Sequence, residues 1–200
     1  MASRTAKVII ATTLLGAGIA TAGIVHYINN PVKLYKEVPT QVFTLQPEIK
    51  SAYATYVKNG NKYIWGPNDC SVFVMNYLKA CDKKVPFRPT TATLMETKFM
   101  SDLGFRQTDQ VTKTGDIIVY RYLNSDNQWR GHTGVVAWHN NRLWVVHNTS
   151  SHGGVVMEDL NQFNANATRL TENKPNLYKI YRRTDYESWY AQFKKRRDQS

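Results

Sequence analysis

The sequence predicts an α+β domain, helices first and an antiparallel sheet after them, and three observations carry that prediction. Apolar residues recur at helical spacing between Pro47 and Cys81. The period changes to strand-like alternation after Thr114-Gly115-Asp116, and turn residues separate the alternating runs. A chain of 200 residues with ordinary apolar content has room for one domain with a sizeable core, plus appendages.

The first appendage is an uncharged, mostly apolar run from Val8 to Val25, preceded by Arg4 and Lys7 and followed by His26, Lys33 and Lys36. Its length sits at the lower end for a membrane-spanning helix. Ala20-Thr21-Ala22 also resembles a signal-peptide cleavage site, whereas continuous apolarity without a polar stripe argues against a buried core helix. Residues 1–28 therefore read as an N-terminal apolar helix, either a signal-anchor or a signal peptide. Both alternatives place the following domain outside the cytoplasm, membrane-anchored or exported, provided the short N-terminal end stays inside. Residues 29–46, punctuated by Asn-Asn-Pro and Val-Pro-Thr, read as a linker. The domain itself is expected over 47–184, with a basic C-terminal helix or tail over 185–200.

Within the domain, Ile49, Ala52, Tyr53 and Tyr56 predict a helix from Pro47 to Lys58, ended by Asn59-Gly60. Pro67-Asn68-Asp69 supplies cap chemistry for a second helix, in which Cys70, Phe73, Val74, Tyr77, Leu78 and Cys81 share a face. Leu94 to Met100 suggests another short helix. Strands are predicted over 117–122, 133–138 and 142–147, with further ones near Val155–Met157 and 177–181. Tyr186 to Arg197 reads as an amphipathic helix whose basic end complements the helix dipole.

The formal charge of +11 and a sequence pI of about 9.6 favour an anionic partner, such as nucleic acid, lipid headgroups or an acidic wall polymer. Nucleic acid is disfavoured, because zinc-finger spacing, RNP-type aromatics and a glycine-rich phosphate loop are all missing from the sequence. No set of ligands has metal-site spacing, and no cofactor is expected. On one helix, Cys70 and Cys81 would lie roughly 16 Å apart, far beyond disulfide reach. Cys81 reads as a small buried apolar residue.

Cys70 is the candidate nucleophile. At a helix start, unpaired backbone N–H groups favour the thiolate and can also hold the oxyanion formed when sulfur attacks a carbonyl. His132, after Gly131, and His147, at the end of the next predicted strand, fit a scheme of nucleophile, base and orienting residue. His139, at a predicted hairpin tip, and His152, in a Ser-Ser-His-Gly-Gly loop, read as exposed.

These residues carry a resemblance. Tyr63-x-Trp65-Gly66, Asp69-Cys70-Ser71-x-Phe73-Val74, Val85-Pro86-x-Arg88, Thr114-Gly115-Asp116, Gly131-His132-Thr133-Gly134 and Val146-His147 follow one another as in NlpC/P60 cysteine peptidases, which the stretch from Tyr63 to Asn148 resembles. The resemblance implies a papain-like fold, with the Cys-bearing helix packed on the sheet. It also implies cleavage of a peptide or amide bond in peptidoglycan stem peptides; the chain is expected to act as a monomer. By matched position, Cys70, His132 and His147 are catalytic, and Tyr63, Asp69 and Ser71 lie at the substrate and oxyanion side. The chain departs from the pattern at Val72 and Pro67, where the family has glycine, and in a short loop before Asp69. Amidases and acyltransferases with related sites, and a non-catalytic envelope-binding module, are the alternatives.

The third catalytic position follows from register. If Asn140-Asn141 form a two-residue turn, His139 faces Arg142, Val136 faces Val145 and Gly134 faces His147. His132 is then diagonal to His147, with Cβ atoms roughly 7 Å apart, while Asn148 points to the opposite face. A one-residue slip would exchange the two.

Overall fold

The structure, a computed structural model, describes residues 34–200. Asn140 and Asn141 have φ of 48° and 59°, the left-handed pair that a two-residue hairpin turn of strand-compatible twist requires. The turn joins β4 (Trp129–His139) to β5 (Arg142–Thr149), numbering the strands in chain order, and the register runs His139↔Arg142, Trp138↔Leu143, Val136↔Val145 and Val135↔Val146. Around this hairpin lie β3 (Ile117–Leu123), β6 (Gly154–Asp159), β7 (Tyr178–Arg183) and two short edge strands, β1 (Leu34–Tyr35) and β2 (Phe105–Gln107). All pair antiparallel in one seven-stranded sheet of order β1-β6-β5-β4-β3-β7-β2, so the domain is α+β.

Alternation along the strands divides the core between the two faces of the sheet. Ile117, Val119, Val135, Ala137, Trp144 and Val146 pack under α2 (Pro47–Lys58) and α3 (Cys70–Ala80). Ile118, Tyr120, Val136 and Val145 pack under Phe163 and Ala167 of α6 (Leu160–Leu170). Where a single short helix is expected near Leu94, two occur, α4 (Thr91–Leu94) and α5 (Thr97–Asp102). They are separate because a Thr90–Thr93 capping box starts the first and a new turn begins after Glu96.

Two expected boundaries are corrected. Residues 34–46 are part of the fold rather than a linker: β1 pairs with Glu158 and Met157, and Val42 and Leu45 of α1 (Thr40–Leu45) are fully buried. Gln46 explains why. Its Oε1 accepts from Trp138 N–H and the Thr114 hydroxyl, at 3.1 Å each, and its Nε2 donates to the Val136 carbonyl at 3.2 Å. A polar residue typical of a tether thus serves as a buried clasp. The C-terminal helix forms where it is expected, as α7 (Tyr186–Asp198), but it is part of the domain, with Tyr186, Trp189 and Phe193 buried against Leu45. His139 is a third correction: its ring is buried and Nδ1 lies 2.8 Å from Gln41 Oε1, because α1 covers the hairpin tip.

The Gly115-Asp116 pair ties β3 to β7. Gly115 has φ +85°, and a Cβ there would lie 2.8 Å from the Trp189 ring. Asp116, fully buried, accepts from Arg182 Nε and Nη2 at 2.9 and 2.8 Å. No helix among the described residues is long and apolar enough to cross a membrane; the apolar run from Val8 to Val25 lies outside them.

Candidate active site

Cys70 owes its position to Asp69. The Asp69 backbone is extended, and its Oδ1 accepts from the N–H groups of Ser71 and Val72, at 2.9 and 3.1 Å, and from the Ser71 hydroxyl at 2.7 Å. Its Oδ2 accepts from Gly66 N–H at 3.0 Å. Both carboxylate oxygens and the Ser71 hydroxyl are therefore engaged in building the helix start, although both side chains also line the recess beside Cys70. The thiol is buried and faces the backbone N–H of Thr133, the residue after His132.

The helix-start argument for a depressed thiol pKa does not survive tertiary burial. Burial, and then the Asp69 charge, push the Cys70 thiol up to about 12, against the N–H groups of Thr133, Ser71 and Cys70 that lower it. Tyr63, half-buried, is also held above its usual range by burial and by neighbouring Cys70, so its phenol stays a donor.

His132 and His147 meet. His132 Nε2 is 2.7 Å from His147 Nδ1, and both rings pack against Phe163, with centroids 5.7 and 5.2 Å away. Gly134 makes room, since a Cβ there would sit 2.5 Å from Val145 Cγ1 and 3.0 Å from His147 Cβ. Asn148 lies on the other face, fully buried, with its Nδ2 donating to the Asn68 carbonyl at 2.7 Å. Burial first, then the charge of its partner, lowers the pKa of His132 to about 3; burial lowers that of His147 likewise. At neutral pH the site holds a thiol and neutral imidazoles.

Glu158 is the residue sequence reasoning missed. Its Oε2 lies 3.3 Å from His147 Nε2. In the β5–β6 ladder His147 faces Val156 and Val145 faces Glu158, so the carboxylate is diagonal to the imidazole on one face. A charged residue inside the alternating run Val155-Val156-Met157-Glu158 was the available signal. At that distance the pair is an ion-pair contact without hydrogen-bond geometry, and the nearby negative charge favours the His147 tautomer with its proton on Nε2. In that tautomer His147 accepts at Nδ1 from His132 Nε2, which leaves a lone pair on His132 Nδ1.

Two adjoining recesses open here. One, about 440 Å³, is lined by His132, His147, Glu158 and Tyr120; the other, about 370 Å³, by Cys70, Arg88 and Arg121. Tyr63, Trp65, Arg130 and Gly131 line both. His132 lies on the α6 face of the sheet and Thr133 on the α3 face, and β4–β5 pairing ends at Val135 and Val146. Cys70 thus approaches β4 from the α3 side where the strands part. His139 stands outside this group, His152 is exposed at the wall of the histidine recess, where its charge acts on His147 and Glu158, and Cys81 is packed in the core. Among the described residues no three His, Cys, Asp or Glu side chains gather as a metal site requires. Compared with known proteins, the chain matches no family model, no curated protein and no solved structure.

Proposed function

We propose that this chain is a thiol hydrolase of papain-like, NlpC/P60 type that cleaves a peptide or amide bond in peptidoglycan stem peptides outside the cytoplasm. The observation that carries the proposal is the oriented series Glu158, His147, His132, with Cys70 at a capped helix start against the next amide on β4.

Because the thiol is neutral at rest, attack and proton transfer go together. His132 Nδ1 takes the Cys70 proton as sulfur bonds to the scissile carbonyl carbon. The oxyanion is held by the Cys70 N–H, which the Asp69 cap does not engage, and by the Tyr63 phenol. His132 returns the proton to the leaving amine as the C–N bond breaks, leaving a thioester. Water, deprotonated by His132, hydrolyses the thioester and restores the thiol. The basic surface favours adhesion to anionic wall polymer or lipid.

A non-catalytic envelope-binding module is the second reading, favoured by the buried, protonated thiol. Incubating the protein with purified peptidoglycan and identifying released fragments by mass spectrometry decides between them. New fragments that vanish with Cys70→Ala support the hydrolase; binding without fragments rejects it.

A further inference from the structure

The recess beside Cys70 carries an unusual surface for a monomer in water. Trp65 and Trp129 are 66% and 49% exposed, yet each is stacked by a cation. The Arg130 guanidinium lies 5.2 Å from the Trp65 ring centroid and that of Arg121 lies 4.8 Å from the Trp129 centroid. Stacking fixes a guanidinium plane without consuming its edge donors. Among the described residues neither arginine pairs with a carboxylate. Arg130 donates from Nη2 to Gln128 Oε1 at 2.5 Å, and Arg121 Nε is enclosed with no hydrogen-bond partner. Asp69 is the one carboxylate lining this recess, and both its oxygens are engaged by the helix start. Arg88 adds a third cation.

We infer that this recess is an anion-recognition subsite, in which Arg121 and Arg130, held edge-out by Trp129 and Trp65, take a carboxylate or phosphate group of the substrate next to the bond that Cys70 attacks. The inference deepens the hydrolase reading by naming a substrate feature. Two fixed, donor-rich cations with their carboxylate partners missing suit the planar, bidentate geometry of such an anion. The indole faces flank the same recess and offer apolar walls to the adjoining part of the ligand. Arg130 also lines the histidine recess, so an anion on either side of the scissile bond is within the reach of one of the two arginines.

The test compares iodoacetate with iodoacetamide on the full chain at low salt, with the modified cysteine identified by peptide mass spectrometry. Relative to the same ratio on free cysteine, iodoacetate should be favoured at Cys70 by about tenfold, a modest effect for field focusing in a cleft. The preference should fall at high salt and disappear in Arg121→Gln and Arg130→Gln, both checked for an unchanged melting temperature. If Cys70 is alkylated at the free-cysteine ratio and the arginine variants leave that ratio unchanged, the anion subsite is wrong while the hydrolase reading stands. If Cys81 is labelled instead of Cys70, the nucleophile assignment fails. The subsite is then decided by calorimetric titration of Cys70→Ser with N-acetylglutamate and with inorganic phosphate. Binding of either probe that is lost with Arg121→Gln or Arg130→Gln upholds the subsite and separates carboxylate from phosphate, and binding of neither overturns it.

Discussion

Glu158 gives the sharpest test of how the two histidines work. When His132 takes a proton it becomes an imidazolium, on which the Glu158 charge beyond His147 acts. For charges about 7 Å apart at an effective dielectric of about 20 that attraction amounts to about 2 kcal/mol, or about 30-fold in rate. Glu158→Gln removes the charge but keeps an oxygen beside His147 Nε2, so the tautomer order is preserved and the loss should be near 30-fold. Glu158→Leu removes that oxygen as well. His147 is then free to carry its proton on Nδ1, which opposes His132 as a base, and a further loss of about tenfold follows for a tautomer preference of about 1.4 kcal/mol. The assay is kcat/KM on a peptidoglycan-derived peptide, run beside the pH profile of Cys70 alkylation by iodoacetamide. If both variants stay within twofold of the parent in both assays, the carboxylate does not orient the histidines and the proposed order of protons is wrong.

Other outcomes follow from the same geometry. Cys70→Ala should abolish turnover with a change in stability under about 1 kcal/mol, whereas the core residue Cys81 should tolerate Ala with activity retained, as read by parallel turnover and melting measurements. His147→Ala should lose activity, and Asn148→Ala should instead lose about 1 kcal/mol of stability in urea unfolding, because the buried Asn68 carbonyl loses one of its two donors and keeps the Ile64 N–H. Asp116→Ala should cost about 3–5 kcal/mol by the same measurement, since it leaves Arg182 buried without its partner. Stability should also fall as pH drops from about 6.5. Unfolded imidazoles bind protons there, while folded His132 and His147 do not until about 3, so the unfolded state binds more protons across that window. The slope should approach about 1.4 kcal/mol per pH unit for each histidine. A denaturation series from pH 7 to pH 4 should show a shallower slope for His147→Gln.

What was legible in the sequence was local. The helix from Pro47 to Lys58 and the helix start at Cys70 lie where spacing and cap chemistry put them, and one Asn-Asn turn set the register that joins His132 to His147. What was hidden depends on distant partners. Residues 34–46 look like a tether because the three groups that bond Gln46 lie 68 to 92 positions away. The helix α6 contains Asn161, Asn164 and Asn166, poor helix formers, and it forms because Phe163 and Ala167 are buried on the sheet. Their spacing with Leu160 and Leu170, and the Asp159 side chain that caps the first turn, were the local signals for it.

The same distinction governs the chemistry of the thiol. A helix start is a local feature and argues for a thiolate; the enclosure of Cys70 is tertiary and argues for a thiol, and the tertiary effect is the larger. On the proposed mechanism a buried neutral nucleophile cannot rely on a preformed charge, so its base must be correctly protonated before substrate arrives. That requirement gives the carboxylate behind His147 a function that an ion-pair mechanism would not need.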